Sequence, residues 1–248
     1  MNDDLQHKID LYRQIFPKLS DFEKNDWEEN FLVEFTHDST SIEGNTLTLL
    51  DTKMILTDKI VPAETTLREL DEVRGHAEAW QFVKECVKNK VELTENIVRD
   101  IHEKVMPFQG IGGRYRTVSV YIRGSQHIPP APQYVWNEMK NLIYRRENDT
   151  FSDAIEEAAR FHAEFVKIHP FQDGNGRTAR LLMNYLLLAN NYPPSSIKLK
   201  NRKEYFQALE EYSLYGKVQP FVELLEKNMN RELDGFLKMY AKSHETEK

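Results

Sequence analysis

The chain has 248 residues, 40% of them hydrophobic and 29% charged, with a net charge of −7 and one cysteine. That length suits one domain with a small appendage, the composition excludes a chain disordered throughout, and the acidic balance argues against a broad nucleic-acid or membrane surface. A single Cys86 excludes an intrachain disulfide; the N-terminal MNDDLQHKID has no apolar core of a leader, and no apolar run reaches spanning length, so the expectation is a cytoplasmic protein that crosses no membrane.

Residues 3–16 read as a first amphipathic helix that ends near Pro17. Ser20 followed by Glu23 is a capping box that opens a second helix, with Trp27, Phe31, Leu32 and Phe35 as its apolar stripe. This helix runs into HDSTSIEGN, where two readings compete. Thr40 with Glu43 fits a further capping box, in which Glu43 only closes a helix start. Alternatively, Asp38 or Ser39 starts a short helix that Gly44 ends; Glu43 then sits on the last turn, opposes the helix dipole and needs an external cation.

Thr48 and Asp51 mark another helix start, running on to Pro62. From Thr65 to Asn89, Leu67, Leu70, Val73, Ala77, Trp80 and Val83 recur at three and four and bury one face of a long helix, and Thr94 to Val105 makes the next. His76 and His102 lie on these helices without metal-type spacing, as surface or satisfied core residues. Between Gly110 and Pro132 the period changes from helical to alternating: Val118, Val120 and Ile122, a turn at Gly124 and Ser125, then His127 and Ile128 before two prolines. This reads as a β-hairpin. Helical periodicity returns from Tyr134 to Arg146 and in FSDAIEEAARFHAEFVKI, while RLLMNYLLLA is apolar nearly all round, as suits a helix at a domain centre. Two more helices follow, one opening near Asn201 and one from Val218 to Leu237.

Between the central pair lies HPFQDGNGRTAR, His169 to Arg180, with the features of a phosphate site. Gly174 and Gly176 allow a sharp turn, so that amides at the next helix start can face an anion. Arg177 and Arg180, three apart, put two guanidinium groups on neighbouring positions. His169 can exchange a proton near neutral pH, and Asp173 supplies a hard oxygen for magnesium.

This stretch resembles the signature of the Fic-domain proteins, HxFx[D/E]GNGRxxR, at every fixed position. The resemblance implies an all-α domain with one small β-hairpin and a protein adenylyltransferase that moves AMP from ATP to a Ser, Thr or Tyr hydroxyl of a target protein. It implies His169 as general base, Asp173 on Mg2+, Gly174, Asn175 and Gly176 around the phosphates, and Arg177 and Arg180 on their β/γ end. Many family members also carry an inhibitory [S/T]xxxE[G/N] motif, which Ser39, Glu43 and Gly44 match. The glutamate there pairs with the second arginine, here Arg180. The GRYRTVSVYIRGSQHIPP stretch resembles the family's flap, which registers the target; Val118, Val120, Ile122 and His127 would do so here, by strand addition. The region after the loop holds adenosine in relatives, but the match is looser: Ser213 stands where an asparagine is common, and Gly216 is displaced by a residue. Tyr205 is the adenine candidate.

The implied division is N-terminal helices with the inhibitory motif over 1–60, a catalytic domain over 61–240 and a solvated tail over 241–248. Removal of AMP by the same site, phosphotransfer of the Doc type and a non-catalytic nucleotide-binding adaptor are the rival functions, and Gly176 speaks against the second; a metal hydrolase on His162, His169 and Asp173 has helical spacing behind it but leaves both arginines unexplained. Self-modification and a homo-oligomer stay open.

Overall fold

The computed structural model describes residues 3–107 and 110–244. Among the described residues ten α-helices follow one another: α1 Asp3–Ile15, α2 Asp21–Ile42, α3 Leu49–Lys53, α4 Leu67–Lys88, α5 Glu95–Val105, α6 Pro132–Asn148, α7 Ala154–Ile168, α8 Asn175–Ala189, α9 Arg202–Tyr215 and α10 Gln219–His244. Several begin where local capping chemistry puts them. Ser20, Thr48 and Thr66 each accept from the third residue of their helix, whose own acid (Glu23, Asp51 and Glu69) bonds back to the cap's backbone. Asp153 accepts from the amides of Ile155 and Glu156 to open α7.

The middle of the fold is the α7 and α8 pair. Of α8, Asn175 and the eleven residues from Arg177 to Leu187 are buried, so this helix has core on every side. One hydrophobic cluster joins it to the N-terminal helices: Leu5, Ile9 and Tyr12 of α1, Phe31 and Phe35 of α2, and Phe236 of α10 all belong to it. Tyr12 lies edge-on to Phe236 with ring centroids 4.9 Å apart, and Phe35 meets Trp80 of α4 in the same way at 5.4 Å. The segment that carries Glu43 is thereby built into the core shared with the loop it faces. Cys86 is buried in this cluster, which pushes its thiol pKa up. A smaller cluster of Leu47, Ile55, Leu70 and Val73 lies under the turn after α3.

The expected β-hairpin is corrected here, since no strand occurs among the described residues. The stretch from Arg114 to Ala131 does fold back on itself, with Ser125 N donating to Ile122 O at 3.1 Å. A ladder does not form because its carbonyls are claimed by a side chain. The Arg116 guanidinium donates to Val118 O (3.0 Å) and Pro130 O (2.5 Å), and Pro129 and Pro130 have no N–H to offer in return. Of the tail expected over 241–248, residues 241–244 complete α10, and 245–248 lie outside the described residues.

Candidate active site

Helix α7 ends on His169, whose backbone is left-handed (φ 51°, ψ 60°) and whose N–H closes on Phe165 O at 3.0 Å. A non-glycine residue there costs on the order of 1 kcal/mol. Arg116 holds it in place. Its Nε donates to His169 O at 2.8 Å, its Nη2 to Ile168 O at 3.4 Å, and its backbone N–H to Pro170 O at 2.9 Å. The His169 ring lies 3.3 Å, through Nδ1, from Val166 O; a carbonyl can only accept, so Nδ1 carries the proton and Nε2 keeps its lone pair. Burial, helped by the Arg116 charge, brings its pKa down to about 4 against the opposing pull of the Val166 carbonyl, Glu43 and Asp173. The imidazole is therefore neutral at physiological pH and presents a free base nitrogen.

The loop that follows is locked from inside. Asn175 accepts from Phe171 N and donates to Phe171 O, both at 2.9 Å, so its side chain is spent on the loop's own backbone. Phe171 is fully buried and stacks on His102, ring centroids 3.6 Å apart and planes 3° from parallel. His102 Nδ1 accepts from Gly113 N at 3.0 Å, which leaves Nε2–H to donate to Asp173 O at 2.9 Å. His102, expected as a satisfied or surface histidine, thus supports the chain at Asp173. Gly174 has φ 76° and no room for a side chain, since a Cβ would stand 2.9 Å from Met106 Cγ. Its turn opens α8, whose first amides have no helical carbonyl to bond and form an anion-seeking helix end.

Asp173 accepts from Gly174 N at 2.6 Å, and its side chain is half exposed. Arg177 is buried. Its Nη2 meets Met106 Sδ at 3.3 Å, the carboxylates of Glu72 and Asp173 stand 3.7 Å off, and Nε and Nη1 have no hydrogen-bond partner. A buried guanidinium with unspent donors is costly unless an anion completes it, which fits a phosphate.

Arg180, fully buried, is closed off by the end of α2. Its Nε donates to Ser39 Oγ at 2.9 Å, and its Nη2 to Ser39 O at 2.7 Å and Glu43 Oε1 at 2.8 Å. Glu43 is the C-cap of α2, and Gly44 follows with φ 106°. Neither expected helix start exists, because α2 runs unbroken from Asp21 through Ser39. Thr40 Oγ1 donates back to Thr36 O at 2.9 Å and caps nothing. The external cation that a carboxylate at a helix C-terminus requires is Arg180. Gly176 makes the approach possible, since a Cβ there would lie 3.0 Å from Glu43 Cδ and overlap its Oε1.

Residues 92–187 match the Fic/DOC family. The Protein adenylyltransferase Fic of Nematostella vectensis is 35% identical over 217 residues, which cover 84% of this chain and 50% of that protein. The chain belongs to the Fic/DOC family. Among solved structures, Fic-1 from Caenorhabditis elegans superposes with a TM-score of 0.85 at 29% identity, over 97% of this chain and 72% of that one. A Fic-domain-containing signaling protein from Bacteroides thetaiotaomicron shares the fold, with a TM-score of 0.86 over 96% and 97% of the two chains at 24% identity. The chain spans about half the length of the Nematostella protein.

Around this Fic loop the structure draws in residues to which sequence reasoning gave no place in the nucleotide site. Arg116 and His102 act through bonds spanning 53 and 71 positions, and no local pattern announces either. His162, seven residues before His169, had one signal in its place two turns back on the same helix; its Nε2 lies 2.8 Å from Tyr205 OH. Tyr205, expected at the adenine, is 1% exposed with its hydroxyl on Arg180 and His162, so it has no open ring face for a base. In the flap stretch, Val118 is exposed, and Val120, Ile122 and His127 are half-buried. His127 Nε2 meets Lys167 O at 2.9 Å and Gln126 N donates to Glu210 at 2.7 Å, which lays the segment against α7 and α9 beside His169.

Burial holds four histidines below their ordinary pKa near 6.5: His102 and His169 at about 4, His162 at about 3, and His76 well below. As pH falls through 6.5 the unfolded chain takes up protons that the folded one refuses, so stability is full above about pH 7 and drains away toward pH 4. The expected loss is about 3 kcal/mol or more over that window, read as a Tm that is flat from pH 7 to 8 and falls from 6.5 to 4.5. A Tm level down to pH 5 would show that these rings charge in the native state.

Proposed function

We propose that the protein is an adenylyltransferase that moves AMP from ATP to a Ser, Thr or Tyr hydroxyl of a target protein and is restrained by Glu43 on Arg180. The observation that carries this reading is the convergence, within one loop, of a neutral histidine with a free Nε2, an open helix N-terminus, and two buried arginines of which one is capped by a carboxylate. The names of the relatives, protein adenylyltransferases, support it.

The α8 amides and Arg177 hold the phosphates, and Arg180 takes the γ end when Glu43 leaves it. Nε2 of His169 accepts the proton of the target hydroxyl, whose oxygen attacks the α-phosphorus; the bond from that phosphorus to the bridging oxygen breaks, and pyrophosphate departs. Rate comes from placement and charge neutralisation. Asp173 is the residue that would hold Mg2+: its half-exposed carboxylate at the loop mouth is the hard-oxygen donor that this ion prefers. The bound ion would supply neutralisation of phosphate charge. The flap stretch would align the target, and the lone buried thiol of Cys86 goes with a reducing, cytoplasmic setting.

The test is to incubate the protein and a lysate with ATP labelled at the α-phosphate or, separately, at the γ-phosphate. Protein-bound α label is expected; γ label would replace this reading with phosphotransfer, and neither label, with ATP bound, with an adaptor. Asp173→Ala is expected to lose magnesium-dependent transfer while costing less than about 1 kcal/mol of stability, because the side chain is half exposed. A magnesium titration of transfer matching that of the parent protein would place the ion elsewhere.

A further inference from the structure

Arg180 is gripped from two sides, and only one of them belongs to the brake. From α2 come three bonds, to Ser39 Oγ, Ser39 O and Glu43 Oε1. From the opposite side comes one, Nη1 donating to Tyr205 OH at 3.3 Å, and behind that oxygen stands His162 Nε2 at 2.8 Å. The chemistry sets each direction. A guanidinium only donates, so the Tyr205 oxygen accepts from it, and the phenol proton is left to go to Nε2 of a neutral His162. Burial keeps His162 in that neutral form by drawing its pKa down to about 3.

The placement of these groups separates them from the brake. His162 is on α7, Arg180 on α8 and Tyr205 on α9, and the Tyr205 ring is packed against Phe206 and Phe221 with centroids 5.2 and 5.8 Å away. None of the three lies on α2. When Glu43 leaves, Ser39 still holds Nε and Nη2, but without the Tyr205 oxygen the Nη1 side would have to be ordered by the incoming ligand, and that ordering subtracts from affinity.

We propose that Tyr205 and His162 are positioning residues that form a standing anchor for the Nη1 side of Arg180, keeping its guanidinium directed at the phosphate site after Glu43 releases it. The identity of the phosphate as the γ end of ATP rests on the AMP-transfer reading; the placement of the arginine does not.

The test compares Glu43→Gly with Glu43→Gly/Tyr205→Phe, which removes one oxygen and little volume. In nucleotide-free crystals, Arg180 is expected to keep Nη1 on Tyr205 in the first and, held on one edge only by Ser39, to swing Nη1 out of that position in the second. In transfer assays the KM for ATP is expected to rise about tenfold in the second, with kcat at saturating ATP changed by less than about threefold. In the same background, His162→Gln, which offers an amide oxygen near the place of Nε2, is expected to keep the KM, and His162→Leu to raise it. An unchanged KM with Arg180 in the same place in both crystals overturns the anchor. Displacement of Arg180 with no effect on ATP would sustain the anchor and remove ATP as the ligand of this arginine.

Discussion

Replacing Glu43 by glycine is expected to raise AMP transfer by about ten- to a hundredfold. Glu43 Oε1 sits 2.8 Å from Arg180 Nη2, in a pair whose arginine is fully buried and whose glutamate side chain is one-third exposed. A hydrogen bond between charged groups contributes roughly 1.5 to 3 kcal/mol, the amount by which a phosphate must compete for the same guanidinium. The expected rise is that competition removed. A second reason is spatial, because the carboxylate lies against Gly176, on the first turn of α8 where phosphate oxygens would approach. The measurement is incorporation of α-labelled AMP, with circular dichroism to confirm the fold. Glu43→Gly with Arg180→Ala should lose the gain, since one guanidinium serves brake and substrate. Labelling by the single variant at or below the parent's rate would leave Glu43 with only a helix-end role, worth about 0.5 to 2 kcal/mol of stability.

Within the released Glu43→Gly protein, His169→Ala is expected to lower transfer by about 10² to 10⁴, the usual contribution of a general base, while ATP binding stays near its starting value. On the proposed mechanism the nitrogen that takes the proton is Nε2, since Nδ1 is held by Val166 O, and none of the arginine contacts passes through the ring. One complication is conformational. His169 has φ 51°, which an alanine adopts at some cost, so the parallel variant is His169→Asn, whose side chain tolerates the left-handed region and has no basic nitrogen. Both variants are expected to fail alike in transfer and to bind ATP alike by calorimetry. Full transfer by either would remove His169 from the proton step. With the native ring at a pKa of about 4, the acid limb of the rate profile is expected near pH 4 to 5, below the ordinary imidazole range, because protonation of Nε2 abolishes the base.

The three-residue spacing of hydroxyl and acid shows how far local pattern reaches. Ser20 with Glu23 and Thr66 with Glu69 carry it, and both form capping boxes. Thr40 with Glu43 carries it too and forms none, because α2 is already running when it reaches Thr40 and has no unsatisfied amide there to cap. The alternation of Val118, Val120 and Ile122 misleads for a related reason. Alternation records which side chains share a face, but a ladder also needs free backbone groups, and Arg116 and two prolines deny them.

What the sequence by itself determined is what lies within about a dozen neighbouring residues. The helices and their caps, the all-round burial of α8, and the loop from His169 to Arg180 follow from backbone preferences and apolar periodicity, which act over one or two turns. The tertiary structure decided who meets whom across the chain: Arg116 and His169 over 53 positions, Tyr205 and His162 over 43, and Glu43 and Arg180 over 137, a pair that the family resemblance names but no local pattern contains. Each of these contacts joins separate elements that only the packing of the core brings together. A buried polar side chain must find its partner among whatever that packing places beside it, and no spacing in the chain encodes such a neighbour.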